Sequence, residues 1–329
     1  MKNNLKTLLE TEAHRFHLAL QHAASVSELG KLGIAVSGGG DSLALLLLGY
    51  VSGFDVEAVT VDHSLRQESA EEARFVAQIC QQLAIPHQIL TTQIEATGEG
   101  IQAAARIRRY ALMAQWAKER QVTALMTAHH ADDQAETLLM RAAHGSGIAG
   151  LAAIRPNVLF SAEGQTIRLL RPLLDFSRLE LATIVEKAGL KAVSDPSNDN
   201  PHYDRTHFRR LLIAAPWIDR RKLANTARYC QQSEEALDWI TQKEAAARIR
   251  LQGKGVRFDP EDLPIEILRR LVVLCLQRVG EKKQVRGTDL TRFIGFLQQG
   301  KKASLSEIIG EGGVLWRFYP APPRKNKQI

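Results

Sequence analysis

The sequence predicts an α/β fold, a doubly wound parallel sheet, followed by a second, smaller and mainly helical domain. Three observations lead there. An apolar β-type run, Ile34 to Val36, passes through the turn SGGGDS, Ser37 to Ser42, into a hydrophobic helix that begins at Leu43. Strand-like and helix-like segments then alternate as far as Thr127, the pattern of a parallel sheet with right-handed crossovers and helices on both faces. Beyond Pro216 the pattern changes to a long, mostly uninterrupted helical period, Asp219 to Leu251.

Composition bounds the reading. A chain of 329 residues with 45% hydrophobic content is long enough for two domains with real cores, and disorder is not its default. Lysine and arginine number 43 against 36 acidic residues, a net charge of +7 that favours a polyanionic partner such as nucleic acid without requiring one. Cys80, Cys230 and Cys275 are far apart and form no CxxC, which suggests neither a disulfide framework nor a metal knuckle and fits a reducing compartment. The N-terminus, with Leu5, Leu8, Leu9 and Phe16 spaced for a helix face and acids interspersed, is unlike a signal peptide. The longest apolar run, Leu43 to Leu48, falls far short of the roughly 18 residues a membrane span needs. A soluble, cytoplasmic protein with no membrane partner is expected. Its expected division is residues 1–216 for an N-terminal helix plus the α/β domain, 217–318 for a helical accessory domain and 319–329 for a basic tail.

The glycine turn carries the first chemistry. Gly38, Gly39 and Gly40 reach positive φ without strain and let a ligand approach bare backbone, while the following helix start adds unsatisfied N–H donors and a positive dipole end. The result is a phosphate cradle. It is not a Walker loop, because no Gly-Lys-Ser/Thr follows, and it lacks the GxGxxG spacing of a dinucleotide turn. The Asp41 carboxylate repels phosphates unless a cation lies between, and Mg²⁺ suits that role. Asp41 is therefore read as a Mg²⁺ ligand, with Ser37 and Ser42 as phosphate donors. The competing reading is a glycine-rich helix cap with Asp41 as N-cap. SGGGDS after a first strand resembles the pyrophosphatase loop, or PP-loop, of the N-type ATP pyrophosphatases, which split ATP between the α and β phosphates to adenylate a substrate.

The following elements read in order as a strand over Val56 to Val61, a helix over Glu68 to Leu83, a strand over Ile85 to Leu90, a helix over Ile101 to Glu119 and a strand over Val122 to Thr127. Asp62, His63 and Arg66 fall in VDHSLR at the end of the second strand, where a doubly wound fold places groups around a nucleotide, or simply a solvated strand end. The string resembles the VDHxLR motif of the tRNA(Ile)-lysidine synthetases. In QAAARIRRY, Arg106 and Arg109 share a helical face with Arg108 beside it; guanidiniums there grip phosphates or merely solvate the helix. That family carries a similar QxxARxxRY run. In TAHHADDQAET, the spacing of His129, Asp133 and Glu136 lines one helix face, while His130, Asp132 and Thr137 point elsewhere. The residues alone admit a metal site or a capped surface helix. The family's HxxxDxxE pattern matches them and implies catalytic and lysine-binding roles.

Further on, GSGIAGL is a glycine-rich bend, in the family part of a segment bordering the active site. Ser177 and Glu180 form a capping box for a helix that stops at Gly189. DPSN, Asp195 to Asn198, precedes YDRTHFRR, in which Arg205 and Arg209 match the family's arginine-rich element and Thr206 stands where Asn is usual. In the second domain Leu223, Ala227, Cys230, Leu237 and Ile240 bury one side of the long helix; shorter helices over Glu266 to Val279 and Asp289 to Leu297 and a strand in VLWRFY follow. Its basic residues, among them Arg220, Arg221, Lys222, Lys282, Lys283 and Arg286, suit RNA phosphates, although no recognisable RNA module is present.

The resemblance runs from about residue 30 to 210 and implies a short-form member of the lysidine synthetase family. It implies a ligase that adenylates the wobble cytidine of the CAU-anticodon tRNA(Ile) with ATP and Mg²⁺, releases pyrophosphate, and attaches free L-lysine with loss of AMP. By that resemblance Asp41, Arg109, His129, Asp133 and Glu136 are catalytic, and Ser37, Gly38, Gly39, Gly40, Asp41, Ser42, Asp62, His63 and Arg106 bind ATP. Arg205 and Arg209, by the same resemblance, and Arg220, Arg221 and Lys222, by their charge, are expected to bind tRNA, and a homodimer is left open. The rivals are a tRNA-thiolating enzyme of the same superfamily, for which the cysteine pairs are lacking, an ammonia-using synthetase, and a nucleotide-dependent RNA-binding protein without catalysis.

Overall fold

The computed structural model describes residues 2–24, 29–62, 67–92, 101–193, 204–280 and 285–322. His63, Arg66, the DPSN turn, Tyr203, Lys282, Lys283 and the last seven residues, 323–329, lie outside them. Two compact units form, Met1–Gln231 and Gln232–Ile329. The first opens with α1 (Lys2–Leu8) and α2 (Glu10–Ala23), then alternates β1 (Leu32–Ala35), α3 (Gly40–Val51), β2 (Val56–Asp62), α4 (Gln67–Gln82), β3 (His87–Thr91), α5 (Ile101–Glu119) and β4 (Ala124–Met126). It continues with α6 (Ala131–Ala143), α7 (Ile148–Leu151), β5 (Asn157–Ala162), β6 (Gln165–Leu170), α8 (Arg178–Lys187), α9 (Asp204–Ala214) and the start of α10 (Arg220–Arg248).

The strand order is β3-β2-β1-β4-β6-β5, parallel except for β5, which pairs antiparallel with β6 at the edge. That hairpin is absent from the sequence-based expectation above. The winding reverses between β1 and β4, and in a doubly wound sheet the crevice for a ligand lies beyond the carboxyl ends of the two strands at that reversal. Leu32 pairs with both Val56 and Ala124, so the loops after β1 and β4 leave the sheet at one edge.

Helix α3 is apolar nearly all round, and every residue from Leu43 to Leu48 is buried. Such a helix must be covered on all sides, and α2 and α8 pack with it over the sheet. Each buried leucine there contributes about 1.5–3 kcal/mol, which fixes a helix whose N-terminus meets the site. On the opposite face Tyr110, Met113 and Trp116 of α5 pack on Val59, Leu125 and Leu169. The Ser177/Glu180 capping box is present at the start of α8, with Ser177 N–H donating to Glu180 Oε2 at 2.8 Å.

The second unit holds the rest of α10, β7 (Ile249–Gln252), β8 (Gly255–Phe258), α11 (Ile265–Val279), α12 (Gly287–Gln298), β9 (Lys302–Leu305), β10 (Ile308–Glu311) and β11 (Trp316–Pro320). Helical residues outnumber strand residues, but the strands form a five-stranded antiparallel sheet in the order β7-β8-β11-β10-β9. Only β11 was visible in the sequence, as VLWRFY. The other four strands have four residues each, too few to display an alternating pattern. Phe258, Leu271, Cys275, Phe293, Trp316 and Phe318 join sheet and helices in one core. The units part within α10, whereas the sequence places a boundary near Pro216.

Candidate active site

The turn after β1 is stiffened from inside. Gly38 sits at φ +87°, in the left-handed region that L side chains rarely adopt, so the turn favours glycine there. Ser42 Oγ accepts from Ser37 N–H at 3.1 Å and donates to the Gly39 carbonyl at 2.9 Å. Ser42, expected to face a phosphate, thus spends its proton bracing the turn. The N-cap of α3 is Gly39 rather than Asp41, and no side chain caps the helix, which leaves its first N–H groups toward the opening. Asp41 lies in the first turn with its side chain 38% exposed.

A cavity of about 450 Å³ opens over this turn. Val59 and Val61 of β2 and Tyr110 and Met113 of α5 give it an apolar wall; Arg109, Thr127, His129 and His130 give it a polar one. Arg109 is half-buried, its Nε is enclosed without a hydrogen-bond partner among the described residues, and burial lowers its pKa, although a guanidinium remains charged. The Arg106 guanidinium, on the exposed side of α5, lies 4.9 Å over the Tyr110 ring. Burial, with Arg171 and Arg106 nearby, holds His129 well below its ordinary pKa, so the imidazole is neutral at pH 7. Its Nδ1 is 3.0 Å from Thr127 Oγ1.

Helix α6 begins at Ala131 with His130 as N-cap, so His129 belongs to the preceding loop and not to the helix face expected of it. His130 and Asp132, expected to point away, face the site instead. His130 Nε2 is 3.4 Å from Asp41 Oδ2 and 3.7 Å from Asp133 Oδ2, and its Nδ1 is 3.7 Å from Asp132 Oδ2. Burial alone would lower the His130 pKa, but Asp41, Asp133 and Asp132 raise it above the ordinary value. Asp132 accepts from Arg178 N–H at 3.0 Å and pairs with Arg220 at 3.3 Å, tying α6 to the starts of α8 and α10.

Asp133 and Glu136 are buried on the α6 face toward the cavity. Asp133 Oδ2 accepts from His130 N–H at 2.9 Å and its Oδ1 from Arg205. Glu136 accepts from Arg205 Nε at 2.7 Å and Arg209 Nε at 2.8 Å. Burial would raise the Glu136 pKa, yet Arg209 and Arg205 hold it below the usual carboxylate range. Arg205 and Arg209, expected to meet tRNA, are therefore ion-paired inside this cavity.

The comparisons with known proteins agree with this geometry. A PP-loop domain family matches residues 9–215. The tRNA(Ile)-lysidine synthase of Zymomonas mobilis is 68% identical over 99% of both chains, and that of Novosphingobium aromaticivorans is 39% identical over 90% of this chain and 91% of the relative. The chain belongs to the tRNA(Ile)-lysidine synthase family. Among solved structures, a U34-tRNA thiolase from Methanococcus maripaludis with its 4Fe-4S cluster shares the fold, with a TM-score of 0.54 and 17% identity over 70% of this chain and 80% of that one.

Set in this lysidine synthase fold, Ser37, Gly39, Asp41, Ser42, Arg109, His129, Asp133, Glu136, Arg205, Arg209 and Arg220 line one cavity. Asp62 accepts from Ser69 Oγ at 2.6 Å at the end of β2, outside the lining. Arg221 pairs with Glu180, and Lys222 is exposed. The bend Gly145 to Leu151 supplies no lining residue. Thr206 is buried. Sequence reasoning missed Tyr110, Met113, Thr127, His130, Asp132 and Arg178, of which the doubled HH and DD pairs offered a signal.

Proposed function

We propose that the chain forms lysidine in two steps within this cavity. As a member of its family it is an ATP-using ligase that makes a carbon–nitrogen bond. In the first step the carbonyl oxygen of the wobble cytidine in tRNA(Ile) attacks the α phosphorus of ATP and pyrophosphate leaves. In the second the ε-amine of free lysine attacks the carbonyl carbon, the bond to AMP breaks, and the ammonium proton is lost. The observation that carries this reading is the joining of an anion-receiving turn to a buried acidic helix face in one cavity.

The apolar wall of Val59, Val61, Tyr110 and Met113 suits an adenine ring, and the turn with the free α3 N-terminus suits the phosphates. Arg109, half-buried with an enclosed and unsatisfied Nε, gains an anionic partner when pyrophosphate forms beside it. Among the described residues no group of three or more His, Cys, Asp or Glu holds a metal by itself. A single exposed carboxylate beside a phosphate cradle fits Mg²⁺, whose other ligands are phosphate oxygens and water, so Asp41 is the residue that would hold it. When bound, the ion neutralises charge on the β and γ phosphates.

Asp133 and Glu136 attract the lysine ammonium, in competition with the Arg205 and Arg209 guanidiniums that hold them here. Lysine, with a side-chain pKa of about 10.4, must shed a proton before it attacks. Glu136, held low by its two arginines, suits attraction of the cation, and either carboxylate of the pair lies where it could take the proton. A sulfur-delivering reaction is disfavoured by the thiols: burial pushes Cys80 and Cys275 up to about 12, far from thiolate at neutral pH. No helix of the described residues is long and apolar enough to cross a membrane, and a tRNA substrate suits a cytoplasmic enzyme.

The test is incubation with ATP, Mg²⁺, radiolabelled lysine and bulk tRNA. Label entering tRNA only with ATP present supports the reading; ATP and tRNA binding without pyrophosphate release would replace it with a non-catalytic RNA-binding role.

A further inference from the structure

The corner between α9 and α10 carries an aromatic side chain for which the two chemical steps have no use. Trp217 is 83% exposed and stands between Ile213 and Arg220, both of which line the cavity. Leu211 and Ile213 are exposed as well. Single exposed apolar residues are ordinary. Here they gather at the rim of a charged site, and the corner that carries them is braced.

Leu212 and Ala215 are its buried anchors. Ala215 N–H donates to the Leu211 carbonyl at 3.0 Å and Ile218 N–H to the Ala215 carbonyl at 3.0 Å. Asp219 Oδ1 accepts from Arg221 N–H at 2.8 Å and Lys222 N–H at 3.3 Å. Arg220 donates to the Leu212 carbonyl at 3.2 Å and reaches Asp132 at 3.3 Å, which ties the corner to the cavity. The backbone is thus fixed on both sides of an indole left in water.

Its surroundings differ from those of the other tryptophans. Trp116 and Trp316 are buried, and Trp239 lies under Lys243 at 5.3 Å. Among the described residues no ring or cation covers Trp217. Five residues on, in the first turn of α10, Lys222 is exposed and forms no ion pair among the described residues. An open aromatic face on a segment that also carries an exposed cation is what an unpaired nucleobase and its phosphate require. Between Arg209 and Lys222 the chain carries five basic residues against one acid, Asp219, a balance that favours a polyanion over an ordinary protein partner.

We infer that Trp217 is a stacking platform for an unpaired base of the tRNA loop, a positioning residue that holds the loop while the reacting cytidine enters the cavity. This rests on the lysidine-forming reading above. The test compares the full chain with Trp217→Ala and Trp217→Phe in steady-state lysidine formation. Stacking of one base predicts about a tenfold rise in the KM for tRNA in Trp217→Ala, with kcat and the KM values for ATP and lysine unchanged. Trp217→Phe recovers most of the loss, and melting is unaltered because the indole is exposed. An unchanged KM for tRNA in Trp217→Ala overturns the inference. So does loss of self-association in sedimentation with tRNA kinetics intact, which would make the corner an interface between copies. If the wild type makes no lysidine, it is the proposed function that fails. Indole quenching by an anticodon stem-loop RNA, measured in a Trp239→Phe background, then still tests the platform: quenching supports it and none refutes it.

Discussion

The turn after β1 and the acidic face of α6 open into the same cavity, yet they are built in opposite ways. The turn is made by sequence neighbours: Ser37, Gly39 and Ser42 brace one another, and Gly38 supplies the one left-handed residue. The acidic face is made by distant partners. Asp133 and Glu136 are held by Arg205 and Arg209 of α9, and Asp132 by the starts of α8 and α10. A site closed by local hydrogen bonds is pre-set for its anion, whereas a site closed by long-range ion pairs answers to whichever cation occupies it.

That contrast can be broken by substitution. The largest effect belongs to Asp41→Asn, which removes the charge that would hold Mg²⁺ and leaves an exposed, uncharged side chain. Pyrophosphate release should fall on the order of a thousandfold, the equivalent of several kcal/mol, with melting unchanged. Near-normal AMP formation would detach the turn from metal binding. Next comes Glu136→Gln, which leaves two guanidiniums without their carboxylate. The arginine heads are partly exposed, so the loss is on the order of 2 kcal/mol, read in chemical denaturation. A stability equal to wild type would show that α9 is held by something else.

Gly38→Ala should cost about 1–2 kcal/mol through its positive φ. Melting temperature and ATP affinity should fall together; a lower melting temperature with intact ATP affinity would mean that the turn's rigidity is not used. The smallest effect sharpens the contrast from outside the cavity. Burial would raise the Glu180 pKa, but hydrogen bonds from Arg221, Ser177 and Arg15 lower it to about 2, against about 4.3 when unfolded. A depressed carboxylate stabilises the fold fully above the unfolded value and loses that contribution as pH falls toward 2. Glu180→Gln should therefore melt about 2–4 °C lower at pH 7, about 1 kcal/mol after discounting for solvent screening, and the gap should close in acid. A gap that persists at pH 2 would assign the loss to packing.

The same contrast governs what could be read from the sequence. SGGGDS announces its turn because its partners lie within six residues, and the Ser177/Glu180 box is legible for the same reason. His129 was assigned to a helix face by its spacing, but the helix starts at Ala131, and a periodicity cannot be extended into the loop before it. That also turned His130 and Asp132 the wrong way. The pairing of Arg205 with Asp133 has no trace in local pattern, since it spans the fold. The β5–β6 hairpin did leave a signal: Glu163 and Gly164, both at positive φ, form a two-residue turn between VLFS and TIRLL. Short strands such as KASL and IIGE left none.

The division of labour between turn and helix is tested most directly by one two-part assay of Glu136→Gln. Pyrophosphate release with tRNA, measured without lysine, is compared with lysidine formation over a range of lysine concentrations. Pyrophosphate release close to wild type, with a much higher lysine requirement for lysidine, is the expected result. Equal loss of both activities, or an unchanged lysine dependence, would contradict it and return Glu136 to a purely structural bond with Arg205 and Arg209.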